Sequence, residues 1–354
     1  MYLPALRNQP GVELVSVMGR DAERTKKFAH QWDFAQATTD ADELLANADA
    51  LVIATPNDTH LPLTMAALDR GIDILCEKPL ALTAEDAARM TTKAQEAGAI
   101  TLVPFTYRFM PTNRWVKQLI DEGYVGAPHH LGLRYFTGFA RNNEYSWRFD
   151  NSEAGSGVIG DLGSHWLYLA HWLLSDAAGE IEQIGANVTH FYERGPRPDG
   201  RAYEPGEDSA VLTLRFASGA YAILQVSAVC WEGSHFNQTH HLDIHGTDGT
   251  LYAYNDWENT QSVSGVKADQ PGPAAPLPIP DSVWGGARRD TVHNTYRDVF
   301  RSEGHMIGEF VQAVRTRQPV TPSFVDGLRV QRLIDASLKS AANGGQMTTV
   351  EPTL

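Results

Sequence analysis

The first third of the chain alternates short apolar runs with longer segments in which apolar residues recur every three or four positions. This pattern predicts strands and helices in alternation. The predicted strands span residues 12–18, 48–55, 72–76 and 99–105. The predicted helices span residues 21–32, 60–71 and 84–97. Because short loops join these elements, they indicate right-handed βαβ units and a parallel sheet whose strands are covered on both faces.

After about Tyr107 the pattern changes to strands in which apolar and polar residues alternate. Short turns at Ser218-Gly219 and Asp248-Gly249 would join neighbouring strands, which is typical of an antiparallel sheet. Residues 269–280 are rich in proline and glycine and predict a loop or an edge segment. The helices predicted in this part of the chain span about 112–122, 165–174, 304–315 and 324–342.

Together these patterns predict an α/β plus α+β fold with two domains. Residues 1–107 are expected to form a Rossmann-like parallel sheet, and residues 108–354 an α+β domain on a predominantly antiparallel open sheet. The chain has 354 residues, of which 42% are hydrophobic and 20% charged, so it is long enough to bury two cores.

Charge and cysteine content narrow the classes of partner. The formal net charge of -14 repels phosphate groups, so we expect neither nucleic acid nor an anionic membrane as a partner. The two cysteines, Cys76 and Cys230, lie far apart and do not form a disulfide framework. No apolar stretch approaches the length of a membrane span, and the first ten residues lack the order of a signal peptide. We therefore expect a cytoplasmic protein.

Polar side chains follow two of the predicted parallel strands. Thr55-Pro56-Asn57 follows one strand, and Glu77-Lys78-Pro79 follows the next. In an open parallel sheet, ligands bind outside the carboxyl ends of the strands, so both groups could face one cleft. The first group could instead cap the following helix, and Glu77 with Lys78 could be a solvated ion pair.

A glycine-rich segment, residues 154–173, contains the second candidate group. Asp161 and His165 are four residues apart and would share one face of a helix. A carboxylate beside an imidazole raises its basicity and orients it, as a general base requires. A helix cap or a surface pair is the more common outcome for this spacing. His171 lies off that face and is interpreted as structural.

In this order and spacing, these segments resemble the Gfo/Idh/MocA family of sugar and polyol oxidoreductases. The resemblance covers nearly the whole chain, from the Glu-Lys-Pro and "TPN" segments through "YRFMPT" and "GDLGSH" to the closing helix. It implies hydride transfer between a nicotinamide cofactor and a secondary alcohol or ketone of a sugar, polyol or inositol-like substrate. It also implies that residues 1–107 bind the dinucleotide and that residues 108–354 bind the substrate and form a homo-oligomer, a dimer or a tetramer.

The resemblance also assigns roles to individual residues. His165 would take the hydroxyl proton on oxidation, Asp161 would orient His165, and Lys78 would donate a hydrogen bond to the developing alkoxide. The implied cofactor contacts are Thr55, Pro56, Asn57, His60, Glu77 and Lys78. Near the predicted domain junction, side chains that could hold sugar hydroxyls or simply pack between the domains are Tyr107, Arg108, Trp147 and Arg148.

Cofactor choice rests on the end of the strand at 12–18. An acid at this place binds the ribose hydroxyl of NAD, whereas an arginine accommodates the 2′-phosphate of NADP. The chain has Gly19 and Arg20 here. Gly19 leaves out a carboxylate that would repel a phosphate, and Arg20 can pair with one. NADP is therefore favoured, with NAD as the alternative.

The chain departs from the family pattern at its beginning. The family opens with a strand and a G-x-G-x-x-G turn that holds the pyrophosphate, and Met1 here falls inside what matches the first helix. Either the start was assigned too late, or the chain has lost cofactor binding. Lys78, Asp161 and His165 favour the first explanation. The alternative function is a non-catalytic sugar-binding or regulatory relative, and reaction direction stays open because hydride transfer is reversible.

One further group could bind a metal ion. His241, Asp243 and His245 share one face of a predicted strand. An ordinary sheet surface is the more common interpretation of such spacing, and the family chemistry implies no metal. We therefore expect no metal site.

Overall fold

The computed structural model describes residues 2–232 and 238–353. Its first five strands are β1 Ser16–Met18, β2 Gln36–Thr38, β3 Ala50–Ile53, β4 Asp73–Cys76 and β5 Thr101–Leu102. All of their pairings are parallel, as predicted. Within the described residues, β1 pairs with β2 in one sheet, and β3, β4 and β5 follow in that order in another. No pairing joins β1 to β3 there, so the parallel part consists of two separate sheets.

The remaining strands form a single sheet, described here for residues up to 232 and from 238. They are β6 Pro128–Phe136, β7 Ile181–Thr189, β8 Ser209–Phe216, β9 Tyr221–Ser227, β10 Thr239–Gly246, β11 Gly249–Asp256, β12 Gln261–Lys267, β13 Gln270–Pro276 and β14 Thr348–Thr349. The strand order is β13-β12-β11-β10-β6-β9-β8-β7-β14. Only β6 and β9 pair in parallel among these strands, which confirms a predominantly antiparallel sheet. The exposed, proline-rich β13 lies at the edge, where missing N–H donors are tolerated.

The helices begin and end close to their predicted positions. Asp21 and Thr83 cap two of them by accepting backbone N–H groups of Arg24 and Asp86. The α-helices of the described residues are α1 Tyr2–Arg7, α2 Ala22–Trp32, α3 Ala41–Leu45, α4 His60–Leu68, α5 Ala84–Glu96, α6 Pro111–Asp121, α7 Asn151–Ala154, α8 Ser164–Ala178, α9 Asp281–Trp284, α10 Val292–Arg297, α11 His305–Thr316 and α12 Phe324–Ala342.

One face of the large sheet carries helices and the other is open. Helices α6, α8 and α12 pack on the covered face, and the fully buried Trp166 belongs to this core. The open face exposes large apolar side chains from three strands, namely Val211, Tyr221, Ile223 and Tyr252. Among the helices of the described residues, none has both the length and the apolar composition needed to cross a membrane.

The last helix, α12, connects the two parts of the molecule. It packs on α5 on one side and on α8 and β7 on the other. Hydrogen bonds support this position, because the Asp335 carboxylate accepts the N–H of Ala84 at 2.7 Å and the Pro322 carbonyl accepts the N–H of Val103 at 2.8 Å. A domain division at residue 107 stays a prediction. The last helix, α12, returns to pack beside the parallel sheets.

Candidate active site

An open cavity of about 270 Å³ lies at the carboxyl ends of β3 and β4. Side chains from both halves of the chain meet there. The lining residues are Ala54, Thr55, Asn57, Glu77, Lys78, Pro79, Trp147, Arg148, Ala154, Ser156 and Asp161. The structure therefore brings together both polar groups that follow the strands and the aspartate of the glycine-rich segment.

Strand register explains why the two polar groups face the same cavity. Ile53 of β3 is opposite Cys76 of β4, so the two strands end at the same level. The N–H of Glu77 donates to the Ile53 carbonyl at 2.9 Å and extends the pairing by one step. All four residues of β4 are buried, so the chain reaches solvent only where Glu77 and Lys78 begin. The neighbouring strands expected from the sequence are thus present.

Lys78 and Asp161 form an ion pair across the cavity. The Lys78 Nζ atom lies 2.8 Å from Asp161 Oδ1 and 2.6 Å from the Asp161 carbonyl oxygen. The two side chains are only 15% and 21% exposed. Burial acts to raise the pKa of Asp161, but the ammonium of Lys78 outweighs it and holds that pKa below its usual value. Asp161 is therefore a carboxylate at neutral pH and keeps the ammonium in place.

Arg148 adds a second positive charge to this side of the cavity. Its Nε atom lies 3.8 Å from Asp161 Oδ2, and its guanidinium lies over the Trp147 ring at 4.7 Å from the centroid. The short turn that carries both residues is followed by the buried Asp150, which accepts the Tyr145 hydroxyl and the Ser152 N–H. Trp147 and Arg148 both line the cavity. They are two of the four residues suggested from the sequence as substrate contacts.

His165 lies behind the cavity and is only 8% exposed. Its Nδ1 atom is buried and has no hydrogen-bond partner among residues 2–232 and 238–353, and its ring meets Tyr107 edge to face at 4.7 Å. Burial, the ammonium of Lys78 and the nearby His240 lower the pKa of His165 well below its usual value. The imidazole is therefore neutral at physiological pH.

The expected contact between Asp161 and His165 is not formed. No hydrogen bond joins them in the described residues, because the carboxylate of Asp161 binds Lys78 instead. Residues Ile159–Gly163 form a π-helical turn before α8 begins. This turn changes the helical repeat, so residues four apart no longer lie directly above one another. The predicted orientation of His165 by Asp161 was wrong in this respect.

The glycine-rich turn is held by Glu207, a residue that sequence reasoning missed. The Glu207 side chain is 3% exposed and accepts the N–H groups of Gly157 at 3.1 Å and Ile159 at 2.7 Å. Its own carbonyl accepts the N–H of Val158 at 2.8 Å. Gly157 has no room for a side chain, because an added Cβ would lie 2.5 Å from the Glu207 backbone nitrogen. No sequence signal connects residues fifty positions apart.

Two of the suggested substrate contacts are placed away from the cavity. Tyr107 is buried, and its hydroxyl lies 2.8 Å from that of Tyr135. Arg108 donates to the Tyr168 hydroxyl at 2.7 Å and lies over the Trp172 ring. Tyr107 is thus part of the buried core and the half-buried Arg108 is held by neighbouring side chains, so neither lines the cavity.

The side chains of His60 and Asn57 connect segments of the protein to one another. The fully buried His60 ring lies between two carbonyl oxygens, Pro79 O at 3.1 Å from Nδ1 and Thr55 O at 3.1 Å from Nε2. It therefore links the two loops that follow β3 and β4. Asn57 lines the cavity and donates to the Ala154 carbonyl at 2.9 Å. Pro56 lies between the two lining residues Thr55 and Asn57.

Two further residues of the first half lie at the edges of this region. The Tyr2 hydroxyl of α1 donates to the Glu77 carboxylate, a contact that sequence reasoning did not foresee. Burial and then the Glu77 charge raise the pKa of Tyr2, so the phenol stays protonated and remains a donor. Arg20 follows β1 and is exposed, and its guanidinium has no ion-pair partner among residues 2–232 and 238–353.

Comparisons with known proteins agree over nearly the whole chain. Residues 1–105 match the family model described as oxidoreductase family, NAD-binding Rossmann fold, and residues 117–350 match its C-terminal alpha/beta domain. A levoglucosan dehydrogenase of Pseudarthrobacter phenanthrenivorans is 28% identical, over 90% of this chain and 85% of the relative. An inositol 2-dehydrogenase of Rhizobium meliloti is 26% identical, over 98% and 95%. A solved levoglucosan dehydrogenase in complex with NADH and levoglucosan superposes with a TM-score of 0.82 at 25% identity, covering 97% of this chain and 91% of that one.

Proposed function

This chain belongs to the Gfo/Idh/MocA oxidoreductase family, and we propose that it is an NAD(P)-dependent dehydrogenase or reductase of a sugar, polyol or inositol-like compound. The substrate carbon is a secondary alcohol in one direction and a ketone in the other. The observation that carries the proposal is the Lys78–Asp161 ion pair, which lies in a cavity at the carboxyl ends of two parallel strands. Ligands of open parallel sheets bind at this place.

The cavity lining suits the nicotinamide half of a dinucleotide. Thr55, Asn57, Glu77 and Lys78 offer hydroxyl, amide, carboxylate and ammonium groups around one space. We expect these four residues to hold the nicotinamide and its ribose, while His60 keeps the two loops in register from behind. When bound, a nicotinamide cofactor supplies the hydride chemistry, and the protein supplies position and charge.

Lys78 has the clearest role in this reaction. Its ammonium would donate a hydrogen bond to the substrate oxygen, where negative charge develops as the hydroxyl loses its proton. Asp161 fixes the position of the Lys78 ammonium by accepting a hydrogen bond from it at 2.8 Å. His165 is the proposed proton acceptor; its lowered pKa leaves the imidazole neutral and also makes it a weaker base than an exposed histidine.

For the cofactor, we propose a preference for NADP. Arg20 is exposed just after β1 and has no ion-pair partner in the described part of the chain, so its guanidinium could bind a 2′-phosphate. Gly19 beside it brings no competing carboxylate. For the substrate, Trp147 offers an apolar ring surface and Arg148 a hydrogen-bond donor on the same side of the cavity.

The test is a fluorescence titration of the full chain with NADPH and then with NADH, followed by rate measurements with sugars and polyols. We expect tighter binding of NADPH, and oxidation of a sugar or polyol hydroxyl with NADP. In Arg20→Ala we expect NADPH binding to weaken by about tenfold and NADH binding to stay unchanged, because only NADPH has the 2′-phosphate. Arg24→Ala, an exposed arginine on α2, is the control for a general charge effect. Equal losses for both cofactors in Arg20→Ala would contradict the preference.

The alternative is a sugar-binding or regulatory relative without catalysis. A folded chain that binds sugars but neither dinucleotide would support that alternative and overturn the oxidoreductase proposal. We also expect a cytoplasmic homo-oligomer, a dimer or a tetramer, with the open apolar sheet face as the surface that self-association would bury. Light scattering of the purified chain measures the oligomeric state directly.

A further inference from the structure

Three side chains with metal-binding atoms meet on the open face of the large sheet, away from the cavity. His130 lies on β6, and Asp243 and His245 lie on β10. His130 and His245 are directly opposite in the antiparallel register, where side chains of neighbouring strands are close. One candidate ligand atom from each of the three residues lies within 4.8 Å of the other two.

We propose that His130, Asp243 and His245 bind a divalent transition-metal ion of the Zn²⁺ class. Two imidazoles and one carboxylate suit this class of ion, and three protein ligands leave a coordination position for water. The proposal revises the expectation of no metal site. It also replaces one residue of the group considered from the sequence, because β6 contributes His130 in place of His241.

His241 is excluded by its own contacts. It lies on the same face of β10, but its Nε2 atom is bonded to the guanidinium of Arg134 across the strands. Its ring also packs on Tyr254 at 4.5 Å between centroids. A neighbouring guanidinium repels a cation, so the metal site would form at the other end of the strand pair.

Gly132 makes the space in which the Asp243 carboxylate lies. The two residues are opposite in the register of β6 and β10. A Cβ atom added to Gly132 would lie 2.8 Å from the Asp243 Cγ atom, closer than real contacts allow. Without that side chain, the carboxylate can lie across β6 and reach His245, with Oδ2 at 3.3 Å from Nε2.

Neighbouring side chains orient both imidazoles. The Thr250 hydroxyl lies 3.1 Å from His245 Nδ1, so Nε2 is the atom turned toward Asp243. The His130 ring stacks on His245 at 4.3 Å and on Tyr221 at 5.3 Å. Partners that fix the second nitrogen of a histidine are typical of metal sites.

Metal binding would require a small rearrangement. Donor atoms around a tetrahedral Zn²⁺ lie roughly 3.4 Å apart, so the most distant of the three groups, now within 4.8 Å of one another, must approach by up to about 1.4 Å. The two stacked rings must also tilt, since a shared ion needs their nitrogens to converge. All three side chains are partly exposed on the open face of the single chain. The competing arrangement is a direct contact of His245 with Asp243 without a metal ion.

Calorimetric titration of the full chain with ZnCl₂ in a non-chelating buffer tests the proposal. We expect one high-affinity ion per chain, and His130→Ala and His245→Ala should each weaken binding by at least about tenfold. Gly132→Ala should also weaken it, although every ligand is retained. His30→Ala is the control, because this exposed histidine lies on α2, outside the large sheet. In Co²⁺ titrations, a visible absorption band of the wild type should disappear in His130→Ala.

The same measurements can overturn the proposal. If the wild type binds no zinc, or if His130→Ala binds it equally strongly, the proposed metal site is wrong. Only the contact between His245 and Asp243 would then remain. An equal loss in His30→Ala would mean unspecific binding to surface histidines. Asp243→Asn keeps the shape of the side chain, so it provides a further test should an alanine variant fail to fold.

Discussion

The two walls of the active-site cavity are built in different ways. On the side of the parallel sheets, Thr55 and Lys78 simply follow strands whose register places their ends at one level. On the opposite side, Asp161 lies in a π-helical turn that depends on Glu207, a residue fifty positions away from Gly157. The first wall is thus set by local sequence and strand pairing, and the second by long-range contacts.

This difference has a physical consequence for mutations. Changes in the first wall should leave its strand ends in place, because the sheet and His60 hold them. Changes behind the second wall should displace the turn itself, since the N–H groups of Gly157 and Ile159 would lose a buried acceptor. The following predictions separate a chemical role from such a displacement.

Lys78→Ala should produce the largest loss. It removes the charged donor from the first wall and leaves the buried Asp161 without its ammonium partner. We expect kcat to fall by about 10³-fold, in the range for removing one donor to a developing oxyanion. Lys93→Ala, which removes a lysine that pairs with Asp69 elsewhere in the first third of the chain, is the control. Turnover within about tenfold of the parent would end the proposed catalytic role of Lys78.

His165→Asn should have the second largest effect. We expect kcat to fall by roughly 10²-fold, which is the lower end of the range for removing a positioned general base. The amide keeps a polar group of similar size but cannot accept the proton. The kinetics should be compared with His171→Asn, a histidine on the same helix that binds Glu180. Full activity of His165→Asn would refute the assignment of His165 as the base.

Glu207→Gln tests whether the second wall depends on a distant carboxylate. An amide can accept only one of the two N–H groups well, so we expect kcat to fall by about tenfold and the free energy of unfolding by about 1.5 kcal/mol. Binding of the dinucleotide should be unchanged, because the first wall is intact. Glu204→Gln, at an exposed position nearby, should change neither quantity. If weaker cofactor binding accompanied the loss of kcat, the two walls would not be independent.

The smallest predicted effect concerns pH and the aromatic core behind the second wall. Burial lowers the pKa of His240 from 6.5 to about 3. At pH values between these two, the unfolded chain binds a proton at this residue and the folded chain does not. Stability therefore falls as pH drops below the unfolded value, by about 1.4 kcal/mol for this histidine between about pH 7.5 and pH 5.5. The buried His60 and His165 act in the same direction.

Urea unfolding at the two pH values measures this dependence. The His240→Gln protein should lose less stability on acidification than the wild type, whatever its absolute stability. The exposed His30→Gln serves as the control and should keep the wild-type dependence. An unchanged pH dependence in His240→Gln would show that this histidine is not held neutral by the fold.

The sequence alone determined the two-part architecture and the strand ends that carry Thr55, Glu77 and Lys78, whereas the presence of Asp161 near them was implied by the family resemblance. It could do so because strand and helix periodicity is local, and because parallel strands that are neighbours must end on the same side of a sheet. The edge position of the proline-rich segment β13 follows from the same kind of local rule.

Only the tertiary structure decided which of these side chains touch. It paired Asp161 with Lys78 and left His165 buried, enclosed Tyr107 among aromatic rings, and brought His130 beside His245 across two strands. These contacts depend on a π-helical turn and on strand register, which are settled by packing between residues far apart in the chain. A spacing of four residues shows which two side chains could share one face of a helix. Packing against the surrounding core decides whether they touch.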